Sequence, residues 1–187
     1  MLIAGVDEAG RGPIAGDVFA AAVVLDPDRP IRGLADSKKL SAKRRGELES
    51  EIKRCALGWN VEQVDVEEID RINILRAALL AMRKAVAGLE FQASLVRVDG
   101  CHSIDVDCPC QAVVGGDGLH EEISAASILA KEARDRYMLE LGRRFPGYGF
   151  ERHKGYPTPY HLSVLETLGI TEIHRRSFGP VRAIIDR

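Results

Sequence analysis

Three apolar runs in this chain stop at acidic residues, and that arrangement constrains the fold more than any other feature. Leu2-Ile3-Ala4-Gly5-Val6 runs into Asp7-Glu8, and Leu95-Val96-Arg97-Val98 into Asp99-Gly100. Ala112-Val113-Val114 leads to Gly115-Gly116-Asp117-Gly118. Short apolar runs bounded by turn residues read as buried strands. Taken singly, each acid reads as a turn or helix-cap residue. Three strand ends that all carry acids fit a carboxylate cluster at one end of a sheet. Two adjacent acids at the margin of a core are costly unless something cationic meets them.

The remaining elements fall around these runs. Val18 to Leu25 is a further strand, with Gly10, Gly12, Pro13 and Gly16 marking the turn that precedes it, and Leu57 to Val64 is another. Ser41 is placed to cap a helix that carries Leu48, Ile52 and Cys55 on one face. Asn73 starts a second, with Leu75, Leu79, Met82 and Val86 at helical spacing and Gly88 as its stop. Glu121 to Leu141 forms a third, with Ile123, Ala126, Ala130 and Tyr137 directed inward. Thr158-Pro159 opens a fourth that Gly169 closes. The apolar stripes are core. The mixed order of strands and helices implies an α/β fold, one domain over residues 1–187, with helices covering a mixed sheet.

The formal net charge is −2, which excludes a general polyelectrolyte binder but not an enzyme with local basic patches. Lys38-Lys39, Lys43-Arg44-Arg45, Arg143-Arg144 and Arg175-Arg176 are such clusters, each read singly as a solvated face. No targeting segment is evident, and the longest uncharged apolar stretch, Val18 to Leu25, is far short of a membrane span. A cytoplasmic monomer with no membrane partner is expected. Cys55, Cys101, Cys108 and Cys110 read as free thiols. The Cys101-His102 and Cys108-Pro109-Cys110 spacing lacks the paired Cys-x-x-Cys hooks of structural zinc sites.

A cluster of Asp7, Glu8, Asp99 and Asp117 repels itself and needs compensating charge. Hard divalent cations, Mg²⁺ or Mn²⁺, prefer oxygen ligands of this kind. Two such ions can clamp the attacking and leaving oxygens of a phosphodiester, so that water displaces the leaving group with no covalent protein nucleophile. Gly10 and Gly12, directly after the acid pair, permit close backbone approach and an N–H concavity suited to an anion.

At this point a resemblance becomes specific. Ala4-Gly5-Val6-Asp7-Glu8-Ala9-Gly10-Arg11-Gly12-Pro13 resembles the signature of the ribonuclease HII family. The match continues through Asp36-Ser37-Lys38-Lys39-Leu40, Ile69-Asp70-Arg71-Ile72-Asn73-Ile74 and Val98-Asp99-Gly100. Further blocks follow in family order: Ile123 to Lys131, His153-Lys154-Gly155-Tyr156-Pro157-Thr158 and His174-Arg175-Arg176-Ser177-Phe178. The resemblance implies a ribonuclease H-like fold with a C-terminal helical segment. It implies endonucleolytic cleavage of the RNA strand of RNA–DNA hybrids and of ribonucleotides embedded in duplex DNA, leaving a 3′-hydroxyl and a 5′-phosphate. Asp7, Glu8, Asp99 and Asp117 match the metal-binding acids. Gly10-Arg11-Gly12 matches the loop that senses the 2′-hydroxyl, the group that separates RNA from DNA. Tyr156 matches the aromatic residue that packs on the sugar beside the cut, and Lys38 and Lys39 would hold phosphates. The sequence departs from the pattern at Gly116, where the family usually has lysine, and at Cys101-His102, which replaces an Asn-containing continuation.

Three other readings compete. The sister enzyme ribonuclease HIII carries an additional N-terminal domain, for which a motif starting at Ala4 leaves no room. A non-catalytic hybrid-binding module has no use for four retained acids, which oppose binding to DNA unless neutralised. A zinc-dependent hydrolase would use Cys101, His102, Cys108 and Cys110.

Overall fold

The first apolar run forms β1 (Ile3–Ala9), joined by β2 (Val18–Val24), β3 (Gly58–Val64), β4 (Leu95–Asp99) and β5 (Cys110–Val113). The helices are α1 (Ala42–Cys55), α2 (Val66–Ile72), α3 (Ile74–Ala87), α4 (Glu121–Arg144), α5 (Phe150–His153), α6 (Pro159–Leu168) and α7 (Gly179–Ile185). The structure, a computed structural model, describes residues 2–35 and 37–187; Met1, Asp36 and the side chain of Lys38 lie outside the described residues. Among the described residues the sheet order is β3-β2-β1-β4-β5. The first three strands pair antiparallel, whereas β4 lies parallel to β1 and β5 parallel to β4. This mixed sheet, flanked by helices and followed by a C-terminal helical segment, is the ribonuclease H-like architecture expected.

The alternation of β1 assigns its residues to two layers. Ala4 and Val6 pack with Ala77, Ala81 and Met82 of α3 and with Val96 and Val98 of β4. The other face meets α4, where Ala125, Ala126, Ile128 and Leu129 pack with Ala21 and Val23 of β2 and with Leu48 and Ile52 of α1. Gly5 lies on this second face. A Cβ there would stand 2.1 Å from the Glu122 carbonyl carbon, so only glycine lets α4 cross β1 so closely. All seven residues of β2 are buried because helices cover both of its faces.

The caps fall where the sequence places them. The Ser41 hydroxyl accepts from the Arg44 N–H, Asn73 from the Arg76 N–H and Thr158 from the His161 N–H. α2 is absent from the sequence reading because seven residues carry too little periodicity to register; Asp65 caps it by accepting from the Glu68 N–H. α4 runs three residues past Leu141, to Arg144. One expectation about β1 is corrected: it does not stop at Val6. The antiparallel ladder with β2 pairs Asp7 with Ala21 and Glu8 with Ala20, so both acids lie inside the strand. A third apolar cluster joins Ile14, Met138, Phe150, Leu165 and Val181, tying α5, α6 and α7 to the far end of α4. No helix among the described residues is long and apolar enough to cross a membrane.

Candidate active site

Parallel pairing brings the first two acids of the cluster together. Val6 of β1 stands opposite Val98 of β4. Asp7 and Asp99 follow these residues, so they emerge side by side at the same end of adjacent strands. Asp7 shares the face of Gly5 and points toward α4, where the Ser127 hydroxyl donates to it. The Ser37 hydroxyl lies 2.9 Å from that of Ser127. Because Ser127 gives its own proton to Asp7, Ser37 is the donor in this pair. Burial pushes the Asp7 carboxyl well above its ordinary range, and the negative charges of Glu8 and Asp99 add to the rise.

These residues line a cleft of about 370 Å³ with Gly10, Arg11, Gly12, Lys131, Arg134 and Tyr156. Its rim is held from beneath by two buried arginines. Arg175 is fully buried and donates to four carbonyls: Gly10 at 2.7 Å, Arg11 at 3.2 Å, Pro13 at 2.6 Å and Gly16 at 2.9 and 2.7 Å. Arg134 donates to the carbonyls of Ala15, Asp17 and Lys154. In a trans peptide C=O and N–H point opposite ways. With the Gly10 and Arg11 carbonyls turned down to Arg175, the N–H groups of Arg11 and Gly12 turn the other way, onto the cleft side of the loop. Gly10 has φ +103°, and a Cβ on it would stand 2.1 Å from Arg134 Nε, so this glycine is required twice over. The Tyr156 ring lies over Gly12, whose added Cβ would meet its Cε1 at 3.2 Å.

A ribonuclease HII family model matches residues 4–181. The chain belongs to the ribonuclease HII family. The ribonuclease HII of Dechloromonas aromatica is 57% identical over 180 residues, covering 96% of this chain and 92% of that protein. The crystal structure of the ribonuclease H2 of Pyrococcus horikoshii superposes with a TM-score of 0.86 at 29% identity, covering 100% of this chain and 98% of that one. The ribonuclease HII of Archaeoglobus fulgidus, solved in a complex with PCNA, gives a TM-score of 0.78 at 28% identity over 94% of each chain. As a member of this family the chain is a ribonuclease H, a hydrolase of the endonuclease class. The reading as ribonuclease HIII gives way to the ribonuclease HII match.

In this member of the ribonuclease HII family the sequence-expected site residues are not all in one place. Asp7, Glu8, Asp99, Gly10, Arg11, Gly12 and Tyr156 share the cleft. Asp117 is buried in the turn beside Asp99, donating its N–H to Asp99 Oδ1 at 3.4 Å, and is not among the residues that line the cleft. Its carbonyl accepts from the Ser124 hydroxyl. Lys39 is exposed on a separate hollow with Gly118, His120 and Ser124, and the side chain of Lys38 lies outside the described residues. Gly116 is buried, and an added Cβ would stand 2.6 Å from Ile123 Cδ1 and 3.4 Å from Asp99 Oδ1. A lysine at this position would therefore leave the backbone beside the Asp99 carboxylate. Arg175 corrects the reading of Arg175-Arg176 as a solvated face.

Four polar residues of the cleft escaped the sequence reading as site residues: Ser37, Ser127, Lys131 and Arg134. Ser124, Ser127, Lys131 and Arg134 recur at intervals of three and four along α4. A polar stripe on a helix otherwise buried against a sheet was the available signal.

Among the described residues no three His, Cys, Asp or Glu side chains close around one point. A structural zinc needs four protein ligands in a tetrahedron, so this arrangement does not fit one. Cys101 is exposed, and Cys108 lines a separate hollow of about 700 Å³ with Arg83, Phe91 and Asp105. Burial, then Cys110 and Asp107, pushes the Cys108 thiol up, which keeps it protonated and a poor ligand. Changing Cys101, Cys108 and Cys110 together to serine is expected to leave cleavage within about twofold of wild type and the melting temperature within about 3 °C, a change below 1–2 kcal/mol. Stoichiometric zinc, lost together with activity in this variant, would reinstate the zinc reading.

Proposed function

We propose that this enzyme hydrolyses the RNA strand of RNA–DNA hybrids and incises at ribonucleotides embedded in duplex DNA. Asp7, Glu8, Asp99 and Asp117 would hold Mg²⁺ or Mn²⁺. The observation that carries this reading is the buried Asp7 carboxylate beside Glu8 and Asp99: three acids whose mutual repulsion calls for a cation. All the donors are hard oxygens, which suits either ion. Each ion would take one or two protein oxygens and complete its shell with water and phosphate, as Mg²⁺ characteristically does. Bound there in a pair, the ions would favour attack of water on the phosphodiester and stabilise the departing 3′ oxygen.

The chain's own groups supply position and selectivity. The Ser127 hydroxyl orients Asp7 and favours its ionised form. The N–H groups of Arg11 and Gly12 face the cleft at a height set by Arg175, suited to an electronegative substrate group such as the ribose 2′-hydroxyl. Lys39, with Lys38, would meet the phosphate backbone. The enzyme would act as a single-domain cytoplasmic monomer.

The test of this reading is a duplex with one internal ribonucleotide, incubated with Mg²⁺, with Mn²⁺ or with chelator. Cleavage beside the ribonucleotide with either ion and none with chelator is expected. Duplex binding without cleavage in any condition would leave only the non-catalytic module.

Tyr156 would read the junction. Its flat ring can stack on a deoxyribose and would fit a ribose there less well. Tyr156→Ala is expected to slow cleavage at a ribonucleotide followed by DNA by on the order of a hundredfold, with a much smaller loss on a continuous RNA strand. Equal losses under single-turnover conditions would show that Tyr156 supports the loop and does not read the junction.

A further inference from the structure

We infer that a buried chain of histidines, His174 to His161, sets the position of Tyr156 and so tunes discrimination between a junction and continuous RNA. This rests on the reading of Tyr156 as the junction-contacting residue.

Tyr156 is 46% exposed, so little packing fixes it. Its backbone is fixed instead. The turn that carries it begins with Gly155 at φ +82°, which glycine adopts freely, after Lys154 at φ +52°, a conformation that persists in a non-glycine residue only where its surroundings enforce it. Two imidazoles join the backbone bonds that do so, in which the Ile14 N–H donates to the Gly155 carbonyl, the Tyr156 N–H to the His153 carbonyl and the Thr158 N–H to the Tyr156 carbonyl. The Gly155 N–H donates to His153 Nδ1 at 3.2 Å. The Tyr156 carbonyl lies 2.9 Å from His161 Nδ1.

The proton positions follow from the partners. The Thr171 N–H donates to His174 Nδ1 at 2.9 Å, so that nitrogen is the acceptor and the His174 proton sits on Nε2. This Nε2–H donates to His161 Nε2 at 3.1 Å. The His161 proton is thereby left on Nδ1, where it donates to the Tyr156 carbonyl. One arrangement of protons satisfies the whole chain from Thr171 to Tyr156.

Both histidines have no exposed surface, and burial holds each neutral with its pKa pushed down to about 4. Phe150 packs edge-on against His161, and His153 stacks on it with ring centres 4.2 Å apart. His161 is a positioning residue; it does not line the cleft.

Two near-isosteric variants separate a donor to Tyr156 from mere filling of the core. His161→Asn keeps an amide N–H close to the place of Nδ1 and gives up the link to His174. His161→Gln places its amide close to Nε2, keeps the link and leaves the Tyr156 carbonyl without this donor. The readout is the ratio of single-turnover rates on a duplex with one ribonucleotide followed by DNA and on a continuous RNA–DNA hybrid.

His161→Gln is expected to lower this ratio by about five- to tenfold, the scale of one buried hydrogen bond, while His161→Asn stays within about twofold of wild type. An unchanged ratio in His161→Gln, or an equal fall in both variants, overturns the inference. Should His161→Gln fail to fold, His174→Asn tests the same link. It keeps an acceptor for Thr171 and removes the donor that fixes the His161 proton; a lowered ratio is expected, and an unchanged one overturns the inference. Tyr156→Ala runs alongside. If it leaves the ratio unchanged, the junction reading itself falls; if it collapses the ratio and the histidine variants do not, only the inference falls.

Discussion

Asp7→Asn is expected to abolish cleavage, lowering the single-turnover rate by more than about a thousandfold, or roughly 4 kcal/mol of transition-state stabilisation. The amide can still accept from Ser127, so the local geometry survives while the charge that would hold the cation is lost. Stability should move the other way. The folded-state pKa of Asp7 is raised by burial and by Glu8 and Asp99, so the metal-free fold disfavours the ionised form. Its sign follows from linkage: wild type loses stability as pH climbs from about 4, the unfolded carboxylate value, toward the raised folded value. Asp7→Asn has no such loss. The metal-free variant should therefore melt at or above the wild-type temperature at pH 7, with a margin that vanishes near pH 4. Near wild-type turnover, or a variant less stable than wild type at pH 7, would contradict the assignment. Asp117→Asn is expected to be milder than Asp7→Asn, since Gly116 stands where the family usually has lysine and alters the surroundings of Asp117.

Arg175→Met should be strongly destabilising. The guanidinium satisfies the carbonyls of Gly10, Arg11, Pro13 and Gly16 with no exposed surface of its own. Methionine fills most of the space and satisfies none of them. A buried acceptor stripped of its donor costs about 1–3 kcal/mol, so losing the donor to the buried Pro13 and Gly16 carbonyls, with a smaller cost at the part-buried Gly10 and Arg11 carbonyls, amounts to roughly 5 kcal/mol. For a chain of this size that lowers the melting temperature by about 10–20 °C. Arg175→Lys should recover only part of the loss, because one ammonium cannot reach carbonyls that a planar fork spans. Burial, reinforced by the nearby Arg134, pulls the Arg175 pKa down to about 9, which leaves it charged at pH 7. A melting temperature within about 3 °C of wild type for the methionine variant would show that the loop holds itself.

How much of this was legible from sequence depended on whether a residue's partner was local. Ser41, Asn73 and Thr158 cap their helices through bonds three residues away, and all three stand out in the sequence. The strands were found by their apolar runs, but the end of β1 was not, because β2 decides where that ladder stops. Asp7, Glu8 and Asp99 were legible as acids at strand ends, and parallel register delivers them to one place. Arg134 and Arg175 were not legible. Each is surrounded in sequence by other charges, and apart from Lys154, 20 residues from Arg134, their partners lie 117 to 165 residues away. The polar stripe Ser124, Ser127, Lys131 and Arg134 could have been read from its spacing alone. His161 and His174 gave no local sign, since their bond forms only when α6 and the segment before α7 are folded against α5.

The central claim, that the acids of this cleft drive hydrolysis by water through bound divalent cations, is tested most directly by the ends it leaves. A duplex with one internal ribonucleotide is cut by the wild-type enzyme with Mg²⁺ or Mn²⁺, and the termini at the nick are identified by mass spectrometry. A 3′-hydroxyl and a 5′-phosphate, formed only with metal and absent with Asp7→Asn, is the predicted result. A 2′,3′-cyclic phosphate with a 5′-hydroxyl would mean that the 2′-hydroxyl attacks in place of water, and the same 3′-hydroxyl and 5′-phosphate in excess chelator would mean hydrolysis without a bound cation; either would contradict the account.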